Sequence, residues 1–514
     1  MTDVAARPVH APSRPPVAHA STRTRNILLV AAGATSVIPV MTYAATGFSF
    51  VCLVAVVLYF QRLGDRRLWL PLGAASLGSI AYVTSALVNG TSLLAPGVPS
   101  FPACGLYFCG IVLLARSIRE TVSILAGAAL GTIAFYLVFG TALTESELFA
   151  NLWKYGWAPS VTVLILVCLT RGDKARPWWG CAALLAMTVV SVGLNFRSHS
   201  LLCLVAAVFV ATDRIRVRAT PVTAKIITGL VLAVAGSVAL RLAAGAGWLG
   251  ASLTEKIESQ AGDHVPTILA GRSESPLSLT AIAAKPVLGW GSADNISPEV
   301  FERAYQLALK IGFDSSYPFE YAWRLPGGAV SLHSILLGST AEAGFLGALL
   351  PLYLIGVCVV LIRLAPANPV WATLLTYLGV QGIWDLLFSP WSYNLPVVYA
   401  AETALAVAIL VARNHGRAAS AARVIRGGPG EDGRDGQRHH PDDRAIVPAF
   451  GGALGSGSDG GSPRDPGGGR HHRSGPDGNG RSAGDRHPHR FWARTGPGAP
   501  ARGGESVGRH RGAS

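Results

Sequence analysis

Between residues 27 and 412 the chain is a succession of apolar runs, each about 15 to 23 residues long, broken by short polar turns. A helix needs about 20 residues to cross the hydrocarbon layer of a bilayer, and these runs approach that length. Inside lipid every backbone N–H and C=O must be satisfied internally, so such runs cross as helices. The pattern predicts an all-α fold: a polytopic membrane helix bundle of about twelve spans with one large extracytoplasmic loop. The expected spans are 27–44, 47–60, 68–89, 101–115, 121–142, 156–170, 178–195, 199–212, 222–244, 335–362, 370–389 and 395–412. Composition agrees, since 14% of residues are charged, against about one-quarter in ordinary soluble domains.

The formal net charge of +14 is not a nucleic-acid signal. Much of it lies in the C-terminal tail and in short loops, where cytoplasmic arginine is expected. With Arg23 and Arg25 inside, the loops that fall inside carry Arg62/Arg66/Arg67, Arg116/Arg119, Arg171/Lys174/Arg176, Arg214/Arg216/Arg218 and Arg363. Those that fall outside are neutral (90–100, 390–394) or mixed, such as Glu145/Glu147/Lys154. The expectation is a multi-pass protein of the bacterial inner (plasma) membrane with both termini cytoplasmic.

Five regions follow: a polar N-terminus (1–26), nine spans (27–244), the large outer loop (245–331), three spans (332–412) and a Gly/Arg/Asp/His-rich tail (413–514). The first apolar run leads straight into a second, so it reads as a retained anchor and not a cleaved signal. The tail has almost no apolar periodicity and is expected to be disordered. Its pairs His439-His440 and His471-His472 are too irregularly spaced to make a metal site. All seven cysteines fall in apolar runs, which supports neither a disulfide framework nor zinc.

Chemistry is expected around the outer loop. It holds Gly271-Arg272-Ser273-Glu274, the turn-like Lys285-Pro286-Val287-Leu288-Gly289-Trp290-Gly291 and Ser331-Leu332-His333-Ser334, followed by Glu342-Ala343-Gly344-Phe345-Leu346-Gly347. Ser297-Pro298-Glu299 reads as a helix start and Lys310/Gly312 as its end, with Phe301, Ala304, Tyr305, Ala308 and Ile311 on one face. That helix either lies on the bilayer or caps a cavity, or simply packs against its neighbours. The loop lacks Asp-x-Asp, His-x-x-x-His and clustered cysteines, so no metal is expected, and no P-loop points to ATP. No cofactor is expected.

Each candidate has a bland and a functional reading. Arg197, in Asn195-Phe196-Arg197-Ser198-His199-Ser200, is either an interfacial snorkelling arginine or part of a site at the outer face. His199 belongs to the same short segment. An arginine or aspartate at mid-helix costs about 2.5–3.5 kcal/mol on insertion scales, so Asp385 and Arg241 near the outer face either pair structurally or serve a site. His333 is either structural or a base able to accept a proton near neutral pH. Glu342 is nine residues past His333, on the opposite face of an unbroken helix, unless Gly338 or Gly344 breaks it.

Taken in order, these motifs resemble the O-antigen ligase and O-antigen polymerase superfamily of bacterial envelope glycan enzymes. The resemblance rests on Arg197, Gly271-Arg272, Pro286-Val287-Leu288-Gly289-Trp290-Gly291, His333 and Glu342-Ala343-Gly344-Phe345-Leu346-Gly347, and spans roughly residues 27–412. It implies a glycosyltransferase C-like fold and metal-independent, inverting glycosyl transfer at the outer membrane face. The donor would be a glycan on undecaprenyl diphosphate, and the acceptor a sugar hydroxyl on a glycan or lipid-linked partner. Arg197 and Arg272 would bind the diphosphate and His333 would activate the acceptor. His199, Glu342 and Asp385 are secondary candidates. Many members carry Asn after the histidine; here it is Ser334.

The same residues leave ligase and polymerase undivided. The rival classes are a lipid-linked oligosaccharide flippase or transporter, for which Glu402 is the main mid-span acid, and a non-catalytic envelope assembly protein.

Overall fold

The computed structural model describes residues 22–41, 44–59, 61, 68–95, 97–140, 148–170, 176–215, 220–247, 272–324, 328–392 and 394–426. The loops holding Arg62, Arg66, Arg67, Glu145, Glu147, Arg171, Lys174, Arg216 and Arg218, residues 248–271 and 325–327 of the outer interval, Gly271 among them, and the His-bearing tail lie outside these residues.

The described chain is mostly helical. Its first half comprises α1 (Thr22–Ala34), α2 (Gly47–Leu58), α3 (Trp69–Val88), α4 (Ser100–Leu114), α5 (Ile118–Phe139), α6 (Leu148–Leu152), α7 (Ala158–Leu169), α8 (Pro177–Gly193), α9 (Arg197–Ile215) and α10 (Val222–Gly245). The second half adds α11 (Ser275–Ala284), α12 (Pro298–Ile311), α13 (Phe319–Trp323), α14 (Ile335–Gly347), α15 (Leu349–Leu364), α16 (Ala372–Phe388) and α17 (Leu395–Arg426). Seven helical stretches are long and apolar enough to cross a membrane: those at 69–88, 118–139, 149–169, 197–215, 222–243, 349–367 and 395–414. Helices α2, α4, α8, α11, α14 and α16 are apolar but shorter.

Side-chain exposure runs opposite to that of a soluble fold. Leu58, Leu70, Val138, Val189 and Leu242 are each about 70% exposed, and the apolar window of α10 buries nothing in the protein. Apolar surface on that scale is stable when lipid covers it. The protein is an all-α membrane helix bundle.

Several segments differ from the sequence reading. The first expected span ends early: α1 stops at Ala34, and an antiparallel pair, β1 (Pro39–Met41) and β2 (Ala45–Thr46), turns the chain into α2. Pro39 holds Ile38 extended (φ −83°, ψ 103°), and the β-branched Val37, Ile38 and Val40 favour the same state. The span expected from residue 156 begins at Leu148 and passes through a π-helical turn, Trp153–Trp157. The span 335–362 breaks at Gly344, whose φ is 69°. The last helix continues past 412 to Arg426, through an alanine-rich stretch of high helix propensity (Ala418, Ala419, Ala421, Ala422).

The main core links α1, α2, α4, α5, α7, α8, α9 and α15 to α17, with Phe48, Tyr107, Ile124, Leu184, Cys203, Leu375, Tyr377 and Leu405 buried in it. Lys225 and Asp213, both almost fully buried, pair at 2.6 Å and tie α10 to the end of α9. Helices α1 and α5 meet through glycines. A Cβ on Gly127 would strike the Val30 carbonyl, and one on Gly33 the Ile124 carbonyl. Small residues permit such backbone approach where lipid supplies no hydrophobic drive.

Outside the bundle, α11, α12 and α13 share a second core of Leu277, Ala281, Trp290, Val300, Ala304, Ala308, Phe319 and Trp323. Helix α12 starts after Ser297 and ends at left-handed Gly312, as the sequence indicates. Its apolar stripe is occupied by this core.

Replacing Gly127 with leucine should force α1 away from α5 and destabilise the bundle by about 1–3 kcal/mol, the usual cost of overpacking. Thermal unfolding in detergent would register it as a lowered midpoint; an unchanged midpoint would refute the close approach.

Candidate functional site

Two of the sequence motifs turn out to bind each other. At Gly344 the backbone leaves the helical path, and the Phe345 N–H donates to the Pro286 carbonyl at 3.0 Å. The carbonyls of Ala341 and Glu342, which would otherwise accept from the next turn of α14, receive the N–H groups of Trp290 (2.9 Å) and Gly291 (2.8 Å). The turn fits because Gly289 and Gly291 adopt φ of 68° and 75°. A side chain on Gly289 would also meet the Glu342 backbone at 2.5 Å.

Glu342 completes this joint. Its carboxylate accepts from the Tyr82 hydroxyl at 2.9 Å and from the Ala293 N–H at 3.2 Å. Ser85 donates to its carbonyl at 2.7 Å. It therefore clamps α3, α14 and the outer loop together. Gly344 does break the helix, but beyond Glu342, and the partners of its side chain lie away from His333.

His333 stands in the bend before α14. Ser334 caps that helix, its hydroxyl accepting from the Leu337 N–H at 3.1 Å, and His333 takes φ of 40°. Asn195 and His333 are the two non-glycine residues with positive φ among those described. His333 is itself a candidate and Asn195 lies two residues before another, Arg197, and such strain persists where the surroundings impose it. The His333 Nδ1 lies 2.9 Å from the Ser331 hydroxyl and 3.4 Å from Oε1 of Glu274. Glu274 opens α11 yet makes no side-chain cap bond to it.

Arg272 stands two residues earlier, and the charge of the same carboxylate acts on it. Its Nη1 donates to the Phe388 carbonyl at 2.9 Å, at the C-terminus of α16, where a cation complements the helix dipole. The guanidinium lies over the rings of Trp384 and Phe388, 5.2 and 4.8 Å from their centroids, an arrangement that holds a flat cation. Burial pushes the Arg272 guanidinium below its ordinary value, and the charges of Glu274 and Asp385 pull it back up.

Asp385 accepts from Gln381 at 2.8 Å and from Ser389 at 2.9 Å, and the cation acting on it is Arg272. This groups Asp385 with Arg272. Gln381 lies beside His199, which is buried between Thr162 (3.1 Å from Nε2), the ring of Phe196 and the ring of Tyr377. Its Nδ1 has no hydrogen-bond partner. Arg197, half-buried, is the first residue of α9, two before His199.

The structure thus sets His333 against Glu274, places Arg272 under the charges of Glu274 and Asp385, and leads from Asp385 through Gln381 to His199. Arg197 is at the same end of α9 as His199. Glu342 belongs to the joint next door. Sequence reading assigned no role to Glu274, Ser331, Gln381 or Ser389. The Gln381/Asp385/Ser389 spacing of four, one helical face, was the available signal. Two clefts, one lined by Asp213, Arg214 and Thr376 and one by Arg176, Pro369 and Thr373, lie at the other end of α9 and α16.

Fold and site together define a helix-bundle membrane protein with an Arg–Glu–His cluster at one end. Comparison with known protein families, curated proteins and solved structures finds no match, so the functional reading rests on the cluster itself.

Glu342→Ala removes the acceptor for Tyr82 and Ala293, at about 1–3 kcal/mol for each buried group left unpaired. Hydrogen exchange at Trp290–Ala293 should accelerate, while exchange in α9 stays unchanged. Equal protection in the variant would mean that Glu342 does not hold the loop.

Proposed function

We propose that this chain is a metal-independent, inverting glycosyltransferase of the O-antigen ligase/polymerase type. It would act on an undecaprenyl-diphosphate-linked glycan at the outer face of the bacterial plasma membrane. The observation that carries this reading is the contact of His333 with Glu274, two residues from an Arg272 that is seated on the end of α16.

The topology that serves it has twelve crossings: the seven long helices together with α1, α2, α4, α8 and α16. Both termini are then cytoplasmic, and the Arg272–His333 cluster faces outward. The donor's prenyl chain stays in lipid while its diphosphate reaches the cluster. A guanidinium held flat against two rings can offer paired hydrogen bonds to phosphate oxygens. Glu274 and Asp385 offset much of that single charge, so Arg197 is required as a second cation.

In the reaction, the acceptor hydroxyl gives its proton to His333 Nε2 as its oxygen bonds the anomeric carbon from the face opposite the diphosphate. The bond from that carbon to the diphosphate oxygen breaks, and the leaving group keeps the electron pair. Arginine N–H groups aimed at the departing oxygens stabilise the charge as it grows. No cofactor takes part, and the partners are the lipid-linked oligosaccharide, the glycan or lipid-linked acceptor and the bilayer.

One observation favours a second reading, a lipid-linked oligosaccharide transporter. Glu402 is 1% exposed in the bundle interior, with Oε1 lacking a hydrogen-bond partner. A buried acid of that kind marks ion or proton paths in transporters.

Purified protein, lipid-linked oligosaccharide and acceptor, with chelator present, test the first reading. His333→Ala should reduce transfer by about 10²–10⁴-fold, the usual contribution of a general base. Arg272→Lys should raise the donor KM, because a point charge cannot reproduce the planar fork. Wild-type transfer rates in His333→Ala would sink the transferase reading. Lipid translocation without transfer, lost in Glu402→Gln, would establish the second.

A further inference from the structure

The transferase reading has His333 take the acceptor's proton on Nε2 but does not say what keeps the resting proton on Nδ1. Nδ1 faces two oxygens, the Ser331 hydroxyl at 2.9 Å and Glu274 Oε1 at 3.4 Å. A bare Nδ1 would turn its lone pair toward a carboxylate, which repels it. An Nδ1–H can instead be shared between both oxygens, and Nε2 is then the bare nitrogen. Glu274 has the means to impose this. It is only 16% exposed, stands at the N-cap position of α11 and is not spent on capping that helix. The backbone at His333 takes φ of 40° in the bend where the two meet.

Resting on the transferase reading, we propose that Glu274 is the positioning residue for His333. It holds the imidazole in the Nδ1–H form and balances the charge that appears when Nε2 takes the acceptor's proton. No proton passes to Glu274. The imidazolium later returns its Nε2 proton to water, and the pair is reset. The 3.4 Å separation suits a resting site, since such contacts tighten when substrate binds.

The charge of Glu274 also acts on Arg272, and a role in holding that arginine is the competing account. Two measurements on the full chain in detergent separate them. The first is nitrogen NMR of protein labelled in its 13 histidines, with the His333 signal identified by its loss in His333→Gln. The proton should sit on Nδ1 in the wild type and redistribute to Nε2 in Glu274→Ala, with the other histidine signals unmoved. A proton on Nε2 in the wild type, or the same distribution in both proteins, overturns the proposal. This measurement decides the Glu274–His333 pair even if no sugar transfer is found.

The second is a double-mutant cycle on transfer. Glu274→Gln should lower kcat by about 10²-fold, within the range of general-base effects, with donor KM within about twofold. In the His333→Ala background the same change should have no further effect, because residues acting as one unit are not additive. A raised donor KM, or an undiminished loss in that background, would assign Glu274 to Arg272 and refute the proposal. If His333→Ala itself matched wild type, the transferase reading would fail while the NMR result stood.

Discussion

Backbone hydrogen bonds exchanged between a broken helix and a loop hold the functional end of this protein together. A helix that bends where it is buried strands carbonyls that water cannot reach, and each must find a donor. Here the bend at Gly344 releases Ala341 and Glu342, and the turn Pro286–Gly291 delivers the N–H groups that satisfy them. Glycine is required on both sides: at 344 for the bend, at 289 and 291 for the turn. The side chain of Glu342 extends the joint to Tyr82 on α3. The outer segment is thereby fixed to the bundle just where α11 and the bend before α14 bring Glu274 and His333 together.

Much of this was legible, though in separate pieces. Apolar runs revealed the helices because burial against lipid depends on composition alone. Ser297-Pro298 and Gly312 bounded α12 because capping is local. Pro286–Gly291 and Glu342–Gly347 stood out as motifs, yet nothing in either announces that it hydrogen-bonds to the other, since contact between distant segments leaves no local trace. For the same reason Glu342 looked like a possible reactant and is a clamp. Glu274 had the converse fate: one more acid in a polar loop, given meaning only by what faces it. Helix ends were harder still. Pro39 ended the first run early through its effect on Ile38, whereas hydropathy continued across it.

Helix α16 is what gives the cluster its layout. Tyr377, Gln381, Asp385 and Ser389 recur every four residues, so they form one polar stripe along a helix otherwise packed in the core. The inner end of the stripe meets His199 on α9, and the outer end meets Arg272, which closes on the last carbonyls and rings of the helix. Two segments far apart in sequence, one opening with Arg197 and the other with Arg272, are therefore measured out along a single rigid element. The placement of charge follows from the same geometry. Arg272 is affordable half-buried because aromatic faces, a helix C-terminus and two carboxylates share the cost of removing it from water. Those carboxylates also weaken it as a lone anion site. Arg197, which opens α9 two residues before His199, supplies a second cation from the bundle itself. The positive charge at this end of the molecule therefore comes from the bundle as well as from the loop.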